Sequence, residues 1–272
     1  MSAATIEARG VGVHTDMTDA EYFAHPALSH SDCKLIDPPA FYRWVKDNKV
    51  RENKPEYDFG HVVHELVLGS GAGIDVIDAE NWRTKAAKEA RAESYANDRA
   101  PMLTHEYEAA KRCADAVSTH PVAAKLLDLA DYREVALIWD DGDVQRKAKA
   151  DLISGRFGVD LKTTQRASTE AFGRSAGKFG YATQEAWYLD ALTACLGIDD
   201  PEFLFIVVEV DPPNFVNVIQ LDPYAVELAA ERNRQRIELF RQCRDSGEWP
   251  AYGTGINQAQ LPRWAEIEME MS

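Results

Sequence analysis

The sequence predicts an α/β fold, a central mixed β-sheet flanked by helices, and three observations predict it. Residues 80–128 are Ala-rich and charged with almost no Gly, the composition of helices. Residues 133–164 change to period-2 alternation interrupted only by tight turns. After a further helical stretch, two more β-branched runs precede a long helix.

Taken in order, residues 1–30 read as irregular. "SHSDCKLIDPPAFYRWVKDN" reads as two short helices broken at Pro38-Pro39, with Ser31 or Asp32 as N-cap and Leu35, Ile36, Phe41, Tyr42 and Trp44 packing inward. "EYDFGHVVHELVLGSGAG" predicts a helix from about 57 to 68, ended by Gly69-Ser70-Gly71. Three more helices are expected at about 80–97, 104–119 and 121–129. "REVALIWDD", "DVQRKAKADLIS" and "RFGVDLKTT" then read as three antiparallel strands joined at Asp141-Gly142-Asp143 and Ser154-Gly155-Arg156. A helical stretch over 168–196 and strands at 203–210 and 215–221 lead to a helix over 223–245, with Asp222 as its cap and Pro223 in its first turn. Without repeats or a linker, 1–272 reads as a single domain: a helical part at about 30–130, a catalytic sheet with flanking helices at about 131–246, and a tail at 247–272.

Among 272 residues, 30 Lys and Arg stand against 45 Asp and Glu, a net charge of −15 that argues against an open basic surface and leaves room only for a local one. No apolar run reaches the ~18 residues of a membrane span, and the N-terminus lacks the pattern of a signal peptide. No membrane association and a cytoplasmic location are expected. Cys33, Cys113, Cys195 and Cys243 are scattered, without the C-x-x-C spacing of a zinc or iron–sulfur site, and read as buried reduced thiols.

The pattern [D/E]-x-K occurs at Asp32/Lys34, Asp47/Lys49, Glu52/Lys54 and Asp160/Lys162, and only the last sits on a strand. There Asp160 and Lys162 share one face, with Val159 and Leu161 on the other. The preceding strand places Lys147, Lys149 and Asp151 on one face and Ala148, Ala150 and Leu152 on the other, and a tight turn at 154–156 lays Asp151 beside Asp160. Two neighbouring carboxylates raise each other's pKa unless a cation lies between them. A divalent ion resolves the conflict, and carboxylate ligation suits Mg²⁺, with Mn²⁺ as substitute. Without further ligands the pair reads as a solvated ion pair. Further ligands exist: His61 and His64 are three apart on a helix, so one can face the sheet where Gly60 permits close approach, and Glu65 can support it. Glu134 can approach the same place, although an edge-strand surface role is the simpler reading. Gln184 and Tyr188 share a helical face from which both can hydrogen-bond a phosphate. With Trp187, Leu189 and Leu192 they equally make an ordinary packing face.

In this order, Gly60/His64, Asp151, Asp160/Lys162 and Gln184/Tyr188 resemble the RecB-like branch of PD-(D/E)xK nucleases, and within it the RecE-type exonuclease (exonuclease VIII) family. "LSHSDCKLI", "PAFYRWVKDN", "FGHVVHELVL", "DLKTT" and "LPRWA" extend the resemblance from about residue 14 to 265. Ala150 stands where the motif has Pro. The resemblance implies a restriction-endonuclease-like core with His64, Asp151 and Asp160 as metal ligands, Lys162 as catalytic lysine, and Gln184 and Tyr188 supporting the DNA backbone. It implies degradation of linear double-stranded DNA from the 5′ end by a ring-shaped homo-oligomer that leaves 3′ single strands for an annealing protein. Basic residues that can line a DNA path are Arg83, Lys85, Lys88 and Arg91, and nearer the site Lys147, Lys149, Arg166, Arg174 and Lys178. The rival readings are an endonuclease or 3′-directed nuclease on the same fold, and a catalytically silent DNA-binding scaffold.

Overall fold

The computed structural model describes residues 9–48, 55–71, 73–261 and 263–270. Residues 1–8, the rival-motif residues Lys49, Glu52 and Lys54, and Pro262 of "LPRWA" lie outside the described residues. The N-terminal part holds β1 (Gly12–His14), α1 (Asp19–Ala24), β2 (Leu28–Ser29), α2 (His30–Lys34), α3 (Pro39–Asn48) and α4 (Pro55–Leu68). Next come β3 (Ile74–Ile77), α5 (Lys85–Ala96), β4 (Ala100–Leu103), α6 (Thr104–Thr119) and α7 (Pro121–Asp128). The meander is β5 (Tyr132–Asp141), β6 (Val144–Ser154) and β7 (Phe157–Thr164), followed by α8 (Thr169–Phe179) and α9 (Tyr181–Leu196). Finally come β8 (Glu202–Glu209), β9 (Val216–Ile219), α10 (Pro223–Ser246) and α11 (Arg263–Glu270).

The expected mixed sheet is present, in the order β1-β5-β6-β7-β8-β9 with β2 added to β6. Its ladders are antiparallel except β7–β8 and β2–β6. A parallel neighbour needs a crossover, and α8 with α9 supplies the one from β7 to β8. On one face Leu152, Val159, Leu161, Ile206 and Val208 pack against α4, α6 and α7. On the other Val135, Leu137, Trp139, Ala148 and Ala150 meet Trp187, Ala191 and Leu192 of α9 and Ile237 of α10. The site lies between these two helical layers.

Several expectations are corrected. Residues 1–30 are not wholly irregular, since they contain β1, α1 and β2. The cap of α2 is Ser29, which exchanges hydrogen bonds with Asp32 in a capping box, rather than Ser31 or Asp32. Ile36 and Tyr42 are buried, but Phe41 and Trp44 are exposed and stack on each other instead of entering the core. β3 and β4 form a separate parallel pair around α5 that the sequence hides, because four residues including Asp75 or Pro101 give no strand signature. α5 starts at Lys85 because Thr84 caps it. The cysteines are free, and Cys195 is only half-buried. Among the described residues no helix is long and apolar enough to cross a membrane.

Candidate active site

The site exists because β6 has an unpaired stretch on one edge. Along its other edge β6 pairs with β5 for nine residue pairs. On the open edge β2 takes Arg146 and Lys147, and β7 takes only Leu152, Ile153 and Ser154. Residues 148–151 are left between them. The register Leu152↔Val159 sets Asp151 opposite Asp160 where the ladder stops, and Asp151 Oδ2 accepts from the Leu161 N–H at 2.9 Å. A carboxylate thus stands where a strand carbonyl would be.

Side-chain alternation breaks at the same point. Ala150 and Ile153 both join the α9 side while Leu152 joins the α4 side, so Leu152 does not share a face with Ala148 and Ala150 as the simple period predicts. Across the ladder the residues flanking Glu134 pair normally, but Glu134 does not, and its φ is +49°. Left-handed backbone on a non-glycine strand residue is strained, and here it accompanies the turning of a carboxylate into the cleft. Glu134 is therefore a half-buried member of the site, in place of the edge-surface role.

His64, Glu134 and Asp151 each offer a ligand atom, and these atoms lie within 4.8 Å of one another. His64 Nε2–H donates to the Leu161 carbonyl at 2.7 Å, which leaves the Nδ1 lone pair turned toward Asp151 Oδ2, 3.5 Å away. Burial pushes the His64 pKa down and keeps the ring neutral, the form that binds metal. His61, one turn away, is exposed, so His64 is the member of the pair that faces the sheet. Gly60 faces Thr163, but a Cβ there would make an ordinary 3.6 Å contact, so close approach does not demand glycine.

Asp160 is 4% exposed and lies on the α9 side, outside the His64/Glu134/Asp151 group. Its Oδ1 accepts from Gln184 at 2.5 Å, and its Oδ2 sits 2.6 Å from the Lys162 ammonium. That buried Oδ2 has no hydrogen bond of good geometry, so a lone pair remains for another cation. Lys162 also lies over the Tyr181 ring, 5.0 Å from its centre. Asp160 and Lys162 are accordingly not a solvated surface pair.

Burial, then Asp160, pushes the Asp151 carboxyl up to about 7. Burial, then Asp151, raises Glu134. Burial pushes Lys162 down, but Asp160 and Asp151 outweigh it and hold the ammonium charged. Lys149 bridges Glu134 at 3.2 Å and Asp19 of α1. Four carboxylates thus share two ammonium groups, a deficit that a divalent cation would fill. The donor set of one imidazole and several carboxylates suits such an ion.

The other residues singled out in the sequence divide. Gln184 reaches Asp160. The Tyr188 hydroxyl donates to the Lys149 carbonyl at 2.8 Å, on the open edge of β6, and is committed to that strand rather than exposed to a phosphate. Lys147 is 2% exposed and donates to the Tyr22 and His25 carbonyls, so it cannot meet DNA in this arrangement. Arg166 is exposed, 3.5 Å from Glu209. Arg91 stacks on Trp82 and Tyr95, while Lys85 of α5 points to solvent beside Glu89. Sequence reasoning missed the Glu134–Lys149–Asp19 chain and Tyr181. Glu134 had a signal, an acid directly opposite Asp151 in the hairpin register.

No curated protein matches the chain in sequence. Among solved structures, the crystal structure of a candidate exonuclease from Eubacterium rectale matches with a TM-score of 0.61 at 10% identity, over 92% of this chain and 98% of that one. A phage-related exonuclease from Haemophilus somnus matches at 12% identity and a TM-score of 0.33, over 84% of this chain and 99% of that one. LHK-Exo in complex with dAMP matches at 12% identity and 0.23, over 71% and 98%. Only the first likeness is close enough to count, and at its identity it is a likeness of fold. Residues 31–262 match the family described as a PDDEXK-like domain of unknown function (DUF3799), and the chain belongs to that family.

Proposed function

We propose that this chain is a single-domain, Mg²⁺-dependent exodeoxyribonuclease of the cytoplasm that degrades linear double-stranded DNA from 5′ to 3′. The observation that carries the reading is the open edge of β6, where His64, Glu134 and Asp151 converge beside the Asp160–Lys162 pair. His64, Glu134 and Asp151 would hold the metal, with the free lone pair of Asp160 available to it. Such an ion supplies Lewis acidity toward a phosphodiester and acidifies water at neutral pH. Lys162, fixed between Asp160 and Tyr181, offers its charge to the negative charge that develops on phosphate. Gln184 fixes the rotamer of Asp160, and Tyr188 holds β6 in place from behind. The 5′ polarity, the ring-shaped assembly and an annealing partner are supported by the sequence resemblance to RecE-type exonucleases.

Linear duplex labelled at the 5′ or 3′ end, with and without Mg²⁺, tests reaction, metal and direction together. Metal-dependent release of the 5′ label first, with closed circular DNA untouched, is expected. Cutting of closed circles would replace the exonuclease by an endonuclease, and early loss of the 3′ label would reverse the polarity. A chain inert on all DNA, or one in which Asp160→Ala retains the wild-type rate, would overturn the nuclease reading.

A further inference from the structure

Past the end of β7, the exposed face of α8 borders a groove of about 290 Å³ lined by Gln165, Arg166, Arg174, Ser175, Lys178 and Phe179. It adjoins the site, since the Phe179 ring stacks with Tyr181 at 5.9 Å and Tyr181 lies under Lys162. Three cations gather here in a chain of net charge −15. Arg166 is partly offset by Glu209 and Arg174 by Glu170 at 2.6 Å. Lys178 meets the Phe179 ring at 5.2 Å and, among the described residues, has no carboxylate within ion-pair distance.

The helix also holds two glycines that the fold does not explain. Gly173 and Gly177 are exposed and one turn apart, each directly preceding a cation in "GRSAGK". Glycine inside a helix is destabilising relative to alanine. A Cβ at either position would meet nothing within 4 Å, so no neighbour within the molecule requires the space. The glycines do not line the groove; they give bare helix backbone on the exposed flank next to it, with Gly177 one turn from Arg174.

We infer that this face of α8 is a track for one DNA strand, separated from its complement, on its way to or from the site. The glycines let the sugar-phosphate backbone approach the helix closely, Arg166, Arg174 and Lys178 neutralise successive phosphates, and the half-exposed Phe179 ring offers a base a stacking surface. An aromatic ring beside the cations suits an unpaired base, which has a free face to stack. This inference rests on the nuclease reading.

Two readouts test it: anisotropy of a labelled single-stranded oligonucleotide on the full chain carrying Asp160→Ala, and KM for degradation of linear duplex by the otherwise unaltered chain. Gly173→Ala with Gly177→Ala should raise the melting midpoint by about 2 °C or more per substitution while weakening single-strand affinity and raising KM roughly 10-fold. Arg174→Gln with Lys178→Gln should lower the slope of log K against log salt by about 1.4. A glycine variant that melts lower, or one that melts higher with wild-type affinity and KM, overturns the track, as does an unchanged salt slope. In either case wild-type cleavage leaves the nuclease reading standing. A wild-type chain that neither binds nor cleaves DNA sinks both.

Discussion

The two ends of β6 bury charge for opposite reasons. Near its start, Arg146 lies between the Trp139 and Trp187 rings with Asp141 and Asp190 on its Nη1, and the Lys147 ammonium donates to two carbonyls over the Tyr22 ring. Each cation there has carboxylates or carbonyls that tie β6 to the rest of the fold, and the Arg146 Nε and Nη2, which lack hydrogen bonds, lie against the two indole rings. Near its end, Asp151 and Glu134 crowd together, with Asp160 beside Asp151, too few cations among them and an unbonded oxygen on Asp160. Partnered burial builds structure, whereas burial left short of partners marks where something else binds.

The largest expected effect breaks the contrast at the site end. Asp151→Asn, or Asp160→Ala, should cut nuclease activity by roughly 10²–10³-fold or more. Asp151→Asn removes one of two repelling carboxylates and keeps an acceptor for the Leu161 N–H, so its melting temperature should hold or rise, whereas Asp160→Ala also strips Gln184 and Lys162 of their partner and should melt lower. Coupled loss of activity and stability in Asp151→Asn, read by nuclease assay and thermal melts, would place Asp151 with the structural charges instead.

At the other end, Lys147→Met strands two buried carbonyls and should cost about 3 kcal/mol in urea unfolding. Activity per folded molecule should stay near wild type. A specific loss of activity in the folded variant would return Lys147 to the DNA path.

Glu185 on α9 sharpens the contrast, since it is a buried carboxyl outside the site whose Oε2 has no hydrogen-bond partner. Burial pushes its pKa up to about 8. The folded chain therefore keeps a proton that the unfolded chain releases near its ordinary value, so between about pH 4.5 and 8 stability falls as pH rises. Glu185→Gln should match the wild type at pH 4 and exceed it by up to about 5 kcal/mol at pH 9, as denaturant melts at the two pH values would reveal. A constant difference between them would mean that the carboxyl is ionised throughout.

The smallest effect separates strain from ligation in one residue. Glu134→Gly relieves the φ of +49° and should add about 1 kcal/mol of stability. It also removes a carboxylate, so Mg²⁺ affinity by calorimetry should fall, by about 10–100-fold at most. Unchanged metal binding would leave Glu134 outside the ligand set.

Much of this was legible in the sequence where the relevant contacts are local. The meander, its two tight turns and the register that sets Asp151 opposite Asp160 follow from alternation and turn chemistry within about twenty residues. So do most helix boundaries, because caps and glycines act on neighbouring residues. Lys162 stood out among four similar motifs because only its neighbours read as strand. Three-dimensional packing decided the rest. Only the placing of β2 on β6 shows that residues 148–151 lack a strand partner on the edge away from β5, where Tyr188 binds the Lys149 carbonyl. Lys147 and Lys149 look alike in "RKAKAD", yet α1 covers one and bridges the other into the site. Likewise the partners that Glu134 meets once it leaves the ladder, Lys149 and His64, come from another strand and a helix. A charge's neighbours along the chain set its face of the strand, but partners distant in sequence decide whether that face meets water, a backbone carbonyl or another charge.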